Sequence, residues 1–258
     1  MSDQNIKLVD VHCHLDDEEF DNDLDDVIRR AKKYGVIAIV NSALGPESIE
    51  KSLQIAQKYK NYVFLSFGLE PYNLDDSDYK ATLDLIKKHK DEIVAVGEVG
   101  LDYYYIRDHN ERKIMEDRFR EFIDLAKKIN KPLVIHSRSA GKYAIRILID
   151  EGAKQVLMHA FDGGSSWAKR GVDEGYFFSV PPSVIRSQQK KKMVKVLPLE
   201  NMMLETDSPV LGPEPKVRNE PMNVLYSLRE IASIKQISEK TVAEKTTENA
   251  IKFFNFKF

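Results

Sequence analysis

Short apolar runs and amphipathic charged segments alternate along the whole chain. The runs predict strands at Ile6–Val11, Val36–Asn41, Tyr62–Gly68, Ile93–Glu98, Pro132–His136, Gln155–His159, Tyr176–Val180 and Met202–Asp207. Most are continuous rather than alternating, as in parallel strands buried on both faces. Helical patterns fill the gaps. The clearest puts Met115, Phe119, Phe122, Ala126 and Ile129 on one face at spacings of three and four. Gly35 and Gly152 punctuate helix ends, and Ser238 followed by Glu239 opens a last helix. Phe253, Phe254, Phe256 and Phe258 are expected to pin the end of that helix.

Eight strand–helix alternations in 258 residues predict an α/β fold, a (β/α)8 TIM barrel forming a single domain over residues 1–258. The Pro- and Gly-rich stretch from Pro209 to Pro221 follows the last strand and reads as a functional loop. Composition narrows the class. Hydrophobic residues make up 42% and charged residues 31%, which excludes disorder as the main state. Lys+Arg 39 against Asp+Glu 41 leaves −2, so a globally basic nucleic-acid binder is excluded and any polyanion site is local. The one cysteine, Cys13, fits a reducing, cytoplasmic setting. No secretory leader, membrane span or obligate protein partner is expected.

The chemistry gathers at the strand ends. Of six histidines, four lie at the C-terminal ends of predicted strands: His12 and His14 on the first, His136 on the fifth and His159 on the sixth. Residues two apart in a strand share a face, so His12 and His14 can face one centre while Cys13 turns away. Glu98 ends the fourth strand and Asp207 the eighth. In a barrel these ends converge on one mouth. Four imidazoles and two carboxylates exceed one tetrahedral zinc site and suit two divalent ions about 3.5–4 Å apart.

The segments DVHCHLD (Asp10 to Asp16), GEVGLDYY (Gly97 to Tyr104), Ile135 to Arg138, HAFDGG (His159 to Gly164), ETDSP (Glu205 to Pro209) and Arg218 to Pro221 together resemble the TatD family of metal-dependent hydrolases, within the amidohydrolase-like barrels. The resemblance implies a TIM barrel acting on DNA, commonly a deoxyribonuclease trimming 3′ ends. It assigns His12, His14 and Asp207 to one metal, His136 and His159 to a second, and Glu98 to both. The expected reaction is phosphodiester hydrolysis by metal-activated hydroxide, with Asp207 as base or orienter of the water and Glu98 fixing the metal spacing. Nitrogen-rich ligation suits zinc, manganese or iron better than the magnesium usual among relatives.

Arg138 and Arg218 are candidates to neutralise phosphate oxygens. Tyr72, Tyr103, Tyr104 and Tyr105 are candidates either to stack a base or to pack, and Lys190–Lys192 reads as a solvated helix face. The chain departs from the family at Gly68 to Tyr72, where Glu70 and Tyr72 stand in place of histidines, and at Ala160 and Asp162. An anionic Glu70 either repels phosphate or holds a further cation. That change keeps open a second reading, hydrolysis of a small amide, ester or lactone. A third is a non-catalytic metal-binding module.

Overall fold

A computed structural model describes residues 6–256. Phe258, one of the residues expected to pin the last helix, lies outside the described residues. Eight strands, β1 (Leu8–Cys13), β2 (Val36–Leu44), β3 (Val63–Gly68), β4 (Ile93–Gly100), β5 (Leu133–His136), β6 (Val156–Met158), β7 (Phe177–Val180) and β8 (Met202–Leu204), form one sheet in sequence order. Helices alternate with them: α1 (Leu24–Lys33), α2 (Pro46–Lys58), α3 (Asp76–Lys88), α4 (His109–Ile129), α5 (Gly141–Asp150), α6 (Ser165–Asp173), α7 (Gln188–Val196) and α8 (Val224–Lys235), then α9 (Glu239–Phe254). This is the (β/α)8 TIM barrel class. Among the described residues no helix is long and apolar enough to cross a membrane.

The chain divides into two compact units, one of residues 6–41, 55–64 and 179–256, the other of 42–54 and 65–178. In the first, β1 pairs parallel with β2, Leu8 opposite Val36 and Cys13 opposite Asn41. The segment leaving β8 returns to β1: the Asp207 N–H donates to the His12 carbonyl at 2.8 Å, and the His14 N–H donates to the Ser208 carbonyl at 2.8 Å. Helix α9 starts at Ser238, whose hydroxyl accepts from the Thr241 N–H at 3.0 Å. It docks through Thr247, which donates to the Lys7 carbonyl at 2.8 Å, and Asn249, which donates to Met202 at 2.8 Å. Its end is held by rings: Phe254 on Phe256 at 5.4 Å and Phe256 on Phe64 at 4.4 Å.

In the second unit, β4, β5 and β6 pair in parallel, with Val99 opposite Ile135 and Ile135 opposite Met158. The apolar face expected of α4 is buried at Met115, Phe119, Phe122 and Ala126, while Ile129 is half-buried beside the left-handed cap Asn130 (φ 54°). Asp108 caps its start, accepting from Asn110 at 2.8 Å and Glu111 at 3.0 Å. Truncating a fully buried ring such as Phe119 to alanine costs about 3–5 kcal/mol.

Strand ends differ from expectation where chemistry begins. His14, His159 and Asp207 fall just outside β1, β6 and β8. Asp207 adopts a left-handed φ of 56°, which no extended strand accommodates. Its N–H goes to His12 instead of to a continuing ladder.

Candidate metal centre

Each unit brings together one half of the predicted ligand set. In the first, His12 near the end of β1 and His14 just beyond it meet edge to face, with ring centroids 5.0 Å apart. His12 Nε2 lies 3.5 Å and His14 Nε2 3.3 Å from Asp207 Oδ1. Ligands about 2.0–2.1 Å from a tetrahedral ion stand about 3.3 Å from one another, so this spacing fits a cation. Cys13 turns into the core as expected, its thiol 3.7 Å from the Val40 carbonyl.

The left-handed backbone at Asp207 costs about 1 kcal/mol, and the surroundings hold it there. Asn219 Nδ2 donates to the carbonyls of Thr206 (2.7 Å) and Val210 (2.8 Å), fastening the loop after β8. Asp10, fully buried, accepts from the Thr206 N–H at 2.8 Å, the Thr206 hydroxyl at 2.5 Å and the His12 N–H at 3.3 Å. Burial pushes its carboxyl well above the usual carboxylate range, outweighing the Thr206 and His12 hydrogen bonds. Asp10 thus ties the β1 ligands to the segment carrying Asp207.

In the second unit, Glu98, His136 and His159 each offer one ligand atom, all within 4.8 Å of one another. His136 Nδ1 pairs with Glu98, and His159 Nε2 lies 3.9 Å from Glu98 Oε1. The other nitrogen of His136, Nε2, meets Asp102 Oδ2 at 2.9 Å. A carboxylate on the far nitrogen fixes a ligating imidazole's tautomer and orientation. Burial would raise Asp102, but hydrogen bonds from His136 and the Tyr105 N–H, with the charges of His136 and Arg138, hold it below the usual range. Backbone proximity sets this geometry. A Cβ at Gly100 would sit 2.1 Å from the His136 carbonyl, and one at Gly68 2.1 Å from the Glu98 carbonyl, so only glycine lets these strands approach.

The predicted substrate contacts fall into two groups. Tyr72 packs at a tilt against Tyr105, centroids 4.9 Å apart, and the Arg138 guanidinium lies 3.9 Å from the Tyr104 ring centroid. Burial, then the Glu70 and Glu98 charges, push the Tyr72 phenol up to about 12. Arg218 is engaged elsewhere. It forks onto Asp23 at 2.8 and 2.7 Å, reaches the Glu19 carbonyl at 2.6 Å and Glu220 at 3.2 Å, and covers the Phe20 ring. These contacts engage both terminal nitrogens of Arg218 with protein groups. Asp162, one of the departures, holds the loop after β5, accepting from the Ser139 N–H at 2.7 Å.

Sequence reasoning did not single out Asp102, Asp10 or Thr206 as site residues. All three are buried polar groups inside motifs already noticed, and their burial marks them.

A parallel eight-stranded barrel with histidine–carboxylate clusters at its strand exits defines a class of metal-binding TIM barrels. The chain belongs to the TatD related DNase family, whose profile matches residues 9–255. It is 45% identical over 260 residues to human deoxyribonuclease TATDN3, covering 96% of this chain and 95% of that one. It is 36% identical over 251 residues to MJ1582, an uncharacterized metal-dependent hydrolase of Methanocaldococcus jannaschii, covering 97% and 98%. In fold it is similar to YJJV, a TatD homologue from Escherichia coli K12, with a TM-score of 0.88 at 24% identity over 97% of this chain and 98% of that one.

Proposed function

We propose that the chain, acting as one TIM-barrel domain over residues 1–258, is a deoxyribonuclease that hydrolyses DNA phosphodiesters from 3′ ends. The observation that carries this reading is His136, held between Glu98 on Nδ1 and Asp102 on Nε2, with His159 beside Glu98. That is a donor set for a divalent ion. His12, His14 and Asp207 would hold one ion and His136 and His159 a second, with Glu98 as a further carboxylate donor. Zinc, manganese and magnesium are the metals to test.

When bound, divalent ions lower the pKa of water towards neutrality and stabilise charge on phosphate oxygens. The chain's own residues do the remainder. Asp207 orients the attacking water or takes its proton, and Glu98 fixes the spacing of the donors. Arg138, whose guanidinium makes no hydrogen bond or ion pair with protein among the described residues, contacts a non-bridging phosphate oxygen. The naming of human TATDN3 as a deoxyribonuclease supports the substrate class. The single cysteine, a buried free thiol, supports a cytoplasmic setting.

The test is 3′-labelled single-stranded DNA with magnesium or manganese, with and without EDTA. Chelator-sensitive loss of the label is expected. Intact DNA beside turnover of small esters or amides would replace this reading with small-molecule hydrolysis, which Glu70 and Tyr72 at the histidine positions favour.

A further inference from the structure

Beyond the ligands, the exits of β3, β4 and β5 carry a cluster of exposed aromatic rings. Tyr72, Tyr104 and Tyr105 are 44%, 49% and 57% exposed. Their rings meet in series, Tyr72 on Tyr105 at 4.9 Å and 58°, Tyr105 on Tyr104 at 5.3 Å and 80°. Arg138 lies against both ends of the pair, its guanidinium 3.9 Å from the Tyr104 centroid and 5.1 Å from that of Tyr105. Adjacent large aromatics left half in water mark a binding surface more often than isolated exposed rings do.

The cluster is built rather than loose. The N–H groups of Tyr104 and Tyr105 both donate to Asp102 Oδ1, at 3.0 and 2.9 Å, and the Tyr103 N–H donates to the Arg138 carbonyl at 3.0 Å. Underneath, Tyr103 hydrogen-bonds Glu116 at 2.5 Å, packs on Tyr143 at 5.1 Å and lies under Arg112 at 4.1 Å. Asp102 therefore organises two things at once: one oxygen orients His136, the other shapes the turn that presents the tyrosines. A surface already ordered loses little entropy when a ligand settles on it.

We infer that Tyr72, Tyr104, Tyr105 and Arg138 form a nucleotide subsite that stacks an unpaired base of the substrate strand and holds its adjoining phosphate. The inference rests on the nucleic-acid reading of the metal centre. The chemistry matches both parts of the ligand. Flat faces stack any base, and a guanidinium held by two rings presents its donors to a phosphate oxygen. Arg138 follows His136 by two residues, so the phosphate-holding group leaves the same strand end as one of the ligands. The site selects for single-stranded substrate, because a paired base is already stacked.

The test uses the metal-loaded protein and two labelled probes, oligothymidylate and the same backbone with abasic tetrahydrofuran units. Binding is read by stopped-flow anisotropy before any strand is shortened, and cleavage is followed on a gel from the same mixtures. Tyr72→Ala and Tyr105→Ala are expected to weaken binding of oligothymidylate about tenfold each and leave the abasic strand unaffected, while Tyr105→Phe restores the affinity. Circular dichroism confirms that the variants are folded. Equal wild-type affinity for the two probes, or equal losses on both, overturns the subsite. Base-dependent binding without strand shortening would sink the nuclease reading and leave the subsite standing. Shortening with unchanged affinity in the alanine variants would do the reverse.

Discussion

His136 Nε2 and Asp102 Oδ2 stand 2.9 Å apart, and this contact turns the other ring nitrogen, Nδ1, towards Glu98. Such outer partners typically contribute ten- to a hundredfold to metal affinity, because they fix the ligand's tautomer and orientation. Asp102→Ala is therefore expected to weaken divalent-ion binding by about that factor, read by competition with a chelating dye. Undiminished affinity would leave Asp102 with only its role in the tyrosine turn.

The pH dependence has a definite sign. In the chelated protein, burial pulls His136 down. The Glu98 charge and the hydrogen bonds to Asp102 and Glu98 outweigh it, raising the imidazole from 6.5 to about 10. A raised folded pKa stabilises fully below about pH 6.5 and loses that contribution as pH climbs through about 10. The chelated protein's thermal midpoint should fall across that window. Ion binding needs neutral imidazole, so affinity should rise over the same window with release of a proton. Calorimetry in buffers of different ionisation heat counts that proton, and finding none would remove His136 from the ligand set.

Glu98→Gln keeps the shape and removes the charge between His136 and His159. Elemental analysis is expected to find both ions depleted and DNA cleavage abolished. In the wild type, an ion at a hundred times its dissociation constant stabilises by about 2.7 kcal/mol, which EDTA should reverse. Glu98→Gln should show little response to EDTA. Full metal content in the variant would end the ligand role.

Arg218 pairs with the Asp23 and Glu220 carboxylates and donates to the Glu19 backbone carbonyl. Its hydrogen bonds hold the Asp23 carboxyl below its ordinary value. The side chains are roughly a third exposed, so solvent discounts the cluster. Arg218→Ala should cost about 1–2 kcal/mol in urea unfolding and leave DNA affinity unchanged. A selective loss of DNA binding at unchanged stability would return Arg218 to the substrate.

Gly100→Ala places a methyl 2.1 Å from the His136 carbonyl at a φ of +145°. The β4–β5 pairing must then shift. Destabilisation of several kcal/mol and loss of metal from the His136 cluster are expected, checked by unfolding and elemental analysis.

Much of this was legible along the chain because it depends on local periodicity. A two-residue spacing at the exit of β1 put His12 and His14 together, and three-four spacing buried Met115, Phe119 and Phe122 on α4. What escaped is held by partners remote in sequence. Asp102 meets His136 across 34 residues, and Arg218 meets Asp23 across 195. A carboxylate or guanidinium carries the same letter whether it faces a ligand or a structural partner. Asp207 read as the end of the strand that the apolar run Met202–Leu204 begins, but β8 stops at Leu204 and Asp207 is left-handed, its N–H donating to the His12 carbonyl.

The seam between Asp10 and Thr206 joins positions 196 residues apart. The pocket formed by His12, His14 and Asp207 therefore stays unassembled while the polypeptide is being synthesised, and arises only when nearly all of it has left the ribosome. A chain that stops short of Thr206 lacks the partner that fastens Asp10, and with it the Asp207 carboxylate beside His12 and His14.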